Sequence, residues 1–259
     1  MMADINNTNN KKVFQKIGPP EILYIEYLKS KAASKLGRNT NLYEVPKVKN
    51  YNINDGIIEF EYIEDLNTIY DLMSIKSVHL PKIVKQLGIT LASIHNDFAL
   101  PKKYKNNLPI EWMDIAKDNV FIHGDFTLRN TCFHTPSKKL YILDWSTTPL
   151  MNQQWTFGTR HFDILWFIRS IYIDSPNKIF SPRYIRNLAN LFLKGYLEYQ
   201  HSNIDVKSFS RCQVRLVRQY NSIIVNQFFE SALLEKLKFL KYFFITYPHW
   251  RLYKPSYSH

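Results

Sequence analysis

The side chains of this sequence best suited to chemistry stand in two short stretches, "FIHGDFTLRN" at 121–130 and "LYILDWS" at 140–146. The first carries His123, Asp125 and Asn130, the second Asp144. Asp125 comes just after the apolar run "VFIHG", so a loop leaving a strand presents it, which is how a rigid scaffold commonly displays reactive groups. Asp144 ends the apolar run "LYIL" and is expected beside that loop. Two carboxylates and an amide oxygen in one cleft make a hard, oxygen-rich site suited to Mg²⁺, which takes a few protein oxygens and fills its shell with substrate phosphates and water. Phosphoryl transfer from a nucleotide needs such a metal, a residue that positions or deprotonates the attacking hydroxyl, and a cation on the phosphates. Asp125 suits the positioning base, and Asn130 and Asp144 suit the metal.

Those residues need a frame, and the chain supplies one in two parts. "KKVFQKI" (11–17) has the character of a short strand, and Gly18, Pro19 and Pro20 break the chain before a helix. Ile25, Leu28, Ala32 and Leu36 form its apolar stripe, with Gly37 expected to stop it. Residues 45–64 predict two strands around a polar turn at Asn52 to Gly56. The first 63 residues thus form a small α+β lobe. A larger, mainly helical lobe is expected over 64–259, opening with a helix from Pro81 through Val84, Leu87, Leu91 and Ile94 to His95. The runs "NVFIHG" and "KLYILDW" are too short for helices and are expected to pair with each other as strands. From Phe162 the pattern is helical, with Ser181 and Pro182 marking one start and a long helical segment from about Cys212 to Phe244.

With 259 residues and 45% hydrophobic content, the chain can bury a sizeable core. The first dozen residues lack the apolar stretch of a secretory signal, and no run approaches the roughly 20 apolar residues of a membrane span, so a cytoplasmic protein is expected. Cys132 and Cys212 lack ligand spacing and are expected as two buried thiols. The 34 Lys and Arg against 22 Asp and Glu give a net charge of +12, a field that draws anions and slows cations. From Val206 to His259, nine basic residues face only Glu230 and Glu235. The ending "KLKFLKYFFITYPHWRLYKPSYSH" mixes aromatic and basic residues. A final helix packing its aromatics inward is expected there over contact with a membrane surface or with nucleic acid.

"HGDFTLRN" followed by "LYILDW" resembles the signature of the kinase-like aminoglycoside phosphotransferase and choline kinase superfamily: His-Gly-Asp, four residues, Asn, and later an apolar run ending in Asp. The resemblance runs roughly from Val13 to Ile171. "IIEFEYIEDLN" is similar to the hinge strand, whose backbone receives the adenine, implicating Glu61 and Ile63. "LGITLASIHN" is similar to the helix ending in His before the catalytic loop, and "RHFDILWFI" to a later helix in which Asp163 has a structural role. His123 is then a buried hydrogen-bonding brace. The resemblance implies a two-lobed, protein-kinase-like α+β fold and the small-molecule branch within it. Gly124 stands where protein kinases have Arg, Thr127 where they have the catalytic-loop Lys, and Trp145 where Phe-Gly would begin.

By the same resemblance Lys16 meets the phosphates, with a helix glutamate holding it. Glu21 and Glu26 are both candidates. Glu26 is taken because Glu21 points more nearly down the apolar stripe. The sequence departs from the family at its start: eleven residues precede Lys12, too few for the usual first hairpin, and nothing like a glycine-rich phosphate loop occurs in a chain with seven glycines. The expectation is a phosphotransferase using Mg²⁺ and ATP or GTP on a neutral or anionic small-molecule hydroxyl. The alternatives are a catalytically silent nucleotide-binding scaffold and a basic surface-binding protein on the same fold. The partners expected are the nucleotide and the acceptor.

Overall fold

The computed structural model describes residues 2–8, 11–110, 119–147, 154–176, 181–199, 204–230, 244 and 247–254. The described chain is α+β, with three small sheets and a mainly helical remainder. It divides into two compact units, Met1–Ile69 with Ser93–Asp163, and Tyr70–Ala92 with Ile164–His259.

The first unit opens with β1 (Met2–Thr8), which pairs antiparallel with β2 (Lys11–Ile17) from Met2 opposite Ile17 to Thr8 opposite Lys11. So one strand does precede the lysine strand. Its sequence, "MADINNT", is too polar to show the apolar alternation by which strands are recognised. β3 (Val48–Asn52) and β4 (Ile57–Glu61) meet across the expected polar turn and complete a sheet in the order β1-β2-β4-β3. Ile58 and Phe60 of β4 project onto Leu23 of the first helix, where Phe14, Tyr27, Val48 and Tyr51 pack around them.

That helix, α1 (Pro20–Thr40), starts at a proline, whose missing N–H costs nothing in a first turn. It does not stop at Gly37. Asn41 ends it in the left-handed region at φ 55°, its N–H donating to the Gly37 carbonyl. Gly37 is glycine for another reason: a Cβ there would stand 2.5 Å from the Tyr43 carbonyl oxygen, so the chain leaving the helix can fold back onto it only if the side chain is absent. The buried face is also not the expected stripe. Leu23, Glu26, Lys29, Ser30, Ala33 and Gly37 are buried, while Ile25, Leu28, Ala32 and Leu36 are half-buried.

β5 (Leu66–Thr68) leads into the short α2 (Ile69–Ser74) and then α3 (Leu80–Asp97). The two apolar runs near the catalytic motif do not pair with each other. β6 (Asn119–Phe121) pairs with β9 (Phe157–Thr159), and β8 (Lys139–Ile142) pairs with β7 (Thr131–His134), which also holds β5. The tight turn at 135–138 closes β7 onto β8, an antiparallel neighbour so near in sequence that it outcompetes the more distant β6.

The remaining elements are α4 (His161–Ile173), α5 (Pro182–Glu198), α6 (Val206–Glu230) and α7 (Tyr247–Arg251). Ser181 caps α5, accepting the Tyr184 N–H at 3.3 Å. Residues 231–243, and with them most of the aromatic-basic ending, lie outside the described residues, although Trp250 of α7 is buried. Cys132 and Cys212 are free and buried, as expected. Among the described residues no helix is long and apolar enough to cross a membrane.

Candidate active site

All the residues singled out by their chemistry belong to the first unit, and two frameworks hold them. The first is the catalytic loop between β6 and β7. His123 is fully buried, tilted against Trp145 with ring centroids 4.5 Å apart. The Asp125 N–H donates to its Nδ1 at 3.1 Å, so Nδ1 is an acceptor and Nε2 carries the proton, which points at the Leu143 carbonyl 3.1 Å away. Burial pushes the His123 imidazole down to about 4, which keeps it neutral in that single tautomer. It braces the loop to the segment carrying Asp144, as expected.

Asp163, at the start of α4, anchors the same loop from the other side. Its Oδ2 accepts the His123 N–H at 2.7 Å and its Oδ1 the Gly124 N–H at 2.9 Å, while His95 Nε2 lies 3.1 Å from Oδ2. Burial alone would raise this carboxyl, but the His95 hydrogen bond and the neighbouring charges outweigh it and hold it below the usual range. Gly124 sits at φ 94°, where L side chains are strained, and a Cβ would press on Thr147 at 3.1 Å. The turn that aims Asp125 thus requires glycine.

Asn130 closes the loop. Its Nδ2 donates to the Asp125 carbonyl at 2.9 Å and to Asp125 Oδ2 at 2.8 Å, and its own carbonyl accepts the Leu143 N–H at 2.8 Å. The half-buried Asp125 carboxylate is therefore oriented by the amide, and Asn130 is tied to the residue before Asp144.

The second framework is a chain of charges. Lys16 of β2, 6% exposed, places Nζ 2.6 Å from Glu26 Oε1 and 2.8 Å from Asp144 Oδ1. Between Glu21 and Glu26 the fold thus selects Glu26 as its partner, and Glu21 is exposed in the first turn of α1. Burial alone would lower the Lys16 ammonium, but the two carboxylates outweigh it and hold it above its usual value. Asp144, whose burial would raise it, is in turn held below the usual carboxylate range by Lys16. Asp144 is a non-glycine residue at φ 53°, a conformation that concentrates at functional sites. Lys29, one turn beyond Glu26, is fully buried and donates to the His123 carbonyl at 2.5 Å. Burial pushes its ammonium down to about 8, against the attraction of Asp163, Glu26, Asp144 and Asp125. α1 therefore holds the lysine of the sheet and the backbone of the catalytic loop at once.

The oxygens suit a magnesium ion. Both hydrogen bonds that Asp144 accepts, from Lys16 and Ser146, fall on Oδ1, and both that Asn130 makes through its side chain use Nδ2. Asp144 Oδ2 and Asn130 Oδ1 have no partner among the described residues, a hard donor pair of the kind that holds Mg²⁺ together with phosphates and water. Among the described residues no group of three or more His, Cys, Asp and Glu gathers as a metal site.

Glu61 is the last residue of β4, and Ile63 lies two residues beyond it. The register sets Ile58 opposite Lys16 and Glu61 opposite Val13. The Glu61 N–H donates to the Lys47 carbonyl at 2.8 Å, whereas the Ile63 backbone has no hydrogen bond among the described residues. Lys29 and Ser146 were missed from sequence. Lys29 follows Glu26 by three residues on a helix, the one spacing that could have flagged it.

No protein-family model matches the chain, and no curated protein matches it by sequence. Solved structures do resemble it. Choline kinase LicA from Streptococcus pneumoniae superposes with a TM-score of 0.55 at 14% identity, over 89% of this chain and 83% of that one. An aminoglycoside-3'-phosphotransferase of type VIII gives 0.52 at 10% identity, over 81% and 86%. A glucosamine kinase, in complex with glucosamine, ADP and inorganic phosphate, gives 0.52 at 12%, over 82% and 74%. At these identities the likeness establishes the fold: the chain has the kinase-like phosphotransferase fold of these proteins.

Proposed function

We propose that this chain transfers the γ-phosphoryl group of ATP or GTP to a hydroxyl of a small, neutral or anionic acceptor. The observation that carries the reading is the joint placement of Lys16 between Glu26 and Asp144 and of Asn130 on Asp125. The kinase-like fold, shared with proteins named as a choline kinase, a glucosamine kinase and an aminoglycoside-3'-phosphotransferase, supports the same reaction class.

In this reading Asp125 Oδ2, steadied by Asn130, orients the acceptor hydroxyl and takes its proton as the oxygen attacks. Lys16, kept protonated by its two carboxylates, meets the nucleotide phosphates. Asn130 Oδ1 and Asp144 Oδ2 would hold a magnesium ion, which would supply positive charge to neutralise the transferring phosphoryl group. Ile63, with its backbone open, offers N–H and C=O to the purine, and Glu61 leads the chain to it. A net charge of +12 favours neutral or anionic acceptors over polycations.

The test is ADP formation across a panel of cationic, neutral and anionic hydroxyl compounds with and without magnesium. Asp125→Ala and Asp144→Ala are each expected to lower turnover by about three powers of ten or more while the protein stays folded. Asp144→Ala should also weaken magnesium-nucleotide binding. Full turnover in either variant rejects the assignment. Nucleotide binding with no turnover on any acceptor would identify a silent scaffold instead.

A further inference from the structure

A hollow lies on the neighbouring face of α1. Tyr27, Ser30, Lys31, Ser34 and Arg38 recur along this helix at three- and four-residue intervals, and with residues 46–51 they line a hollow of about 490 Å³. Four of its lining side chains are cationic, Lys31, Arg38, Lys47 and Lys49, and none is acidic. The imbalance is local and built. Lys49 lies 3.8 Å from Glu61, and Lys31 rests on the Tyr27 ring and donates to its hydroxyl. The Arg38 guanidinium and Lys47 ammonium have no side-chain partner among the described residues.

The walls carry unanswered hydrogen-bonding groups as well. The Ser30 side chain, in a residue only 2% exposed, and that of Ser34 one turn on have no hydrogen bond among the described residues. The Tyr51 hydroxyl is buried without a partner, although its ring is stacked on Tyr27 at 4.6 Å and 13°. Buried hydroxyls are ordinarily hydrogen-bonded. Here one of them, that of Tyr51, lines a hollow in which every charge is positive, beside the unbonded hydroxyls of Ser30 and the half-buried Ser34.

We propose that this hollow binds a small, phosphate-bearing polyanion, separately from the site around Lys16, Asp125 and Asp144. Guanidinium and ammonium groups match phosphate oxygens in charge and geometry, and hydroxyls supply the further donors a phosphate accepts. A volume of about 490 Å³ falls within the range of small-molecule sites. A free oligophosphate and a nucleotide share this chemistry, and the aromatic wall of Tyr27 and Tyr51 separates them in the test.

The probe is inorganic tripolyphosphate, titrated calorimetrically without divalent cation into the full chain and into folded variants checked by circular dichroism. Saturable one-site binding is expected, falling in affinity as salt rises because several cations are neutralised. Arg38→Ala combined with Lys47→Ala should weaken it about tenfold or more, Ser34→Glu should abolish it, and Asp144→Asn should leave it unchanged. Tighter binding of ADP than of tripolyphosphate, lost in Tyr27→Ala, assigns the site to a nucleotide. Equal binding assigns it to phosphates alone, and either supports the proposal. Equal affinity in the wild type and the Arg38/Lys47 variant, or loss in Asp144→Asn, overturns it. So does a single-stranded oligonucleotide of roughly 20 residues binding about tenfold tighter than either probe, since that marks an extended nucleic-acid surface.

Discussion

Helices α1 and α5 both begin at a proline and both bury one face, yet they bury different chemistry. The face of α5 is Ile185, Leu188, Ala189, Phe192, Leu193, Gly195 and Tyr196, the apolar stripe expected of a helix held by burial alone. α1 buries Glu26, Lys29 and Ser30 among its inward positions and leaves Ile25 and Leu28 half-exposed. Burying ions is costly unless they are paired, so a helix that does so is satisfying something other than its own stability. In α1 that something is a pair of fixed points, Lys16 on one side and the His123 carbonyl on the other. α5 is oriented by its packing, and α1 by the site it serves.

The contrast can be broken from either end. Phe192→Ala in α5 removes a fully buried ring that packs on Phe167 at 4.3 Å. It is expected to cost about 3–5 kcal/mol in denaturant unfolding while turnover per folded molecule stays within about twofold. Lys29→Met should show the reverse balance. Stability is expected to fall by only about 1–3 kcal/mol, for the stranded His123 carbonyl, while phosphoryl transfer falls roughly tenfold to a hundredfold as the loop loses its tie to α1. If Lys29→Met keeps full turnover, the buried charges of α1 are incidental packing and the comparison collapses.

A smaller effect sharpens it. The Lys29 ammonium titrates at about 8 in the fold against 10.5 when unperturbed, so between those values the unfolded chain binds more protons than the native one. The contribution of Lys29 is then fully present above about 10.5 and is lost as pH falls through about 8. The difference in unfolding free energy between wild type and Lys29→Met should therefore grow as pH rises across that window. A difference that is flat with pH would place the amine in solvent. The least effect is expected at the end of α5. Lys85 and Glu198 pair at 2.7 Å with both side chains more than a third exposed, and Lys85→Ala should change stability by no more than about 1 kcal/mol.

The sequence by itself determined what depends on spacing along a loop or on local capping. The Asp125, Asn130 and His123 brace spans eight residues, so its partners were legible together. The capping of α5 by Ser181 and the turn between β3 and β4 were legible for the same reason. Tertiary structure alone decided the rest. The stripe that favoured Glu26 over Glu21 is not the buried face of α1, and what sets Glu26 on Lys16 is the packing of Leu23 on Ile58 and Phe60, which joins α1 to the sheet that carries β2. Gly37 looked like a stop until the returning Tyr43 backbone was seen to need its missing Cβ. The two apolar runs near the motif looked like partners because both are short and apolar, but each finds a different neighbour, and the choice is made by hydrogen-bond register in three dimensions. Lys29 was the least legible of all. A lysine on a helix is ordinarily solvated, and only the distant carbonyl of His123, brought under α1 by the fold, gives its charge a reason to be buried.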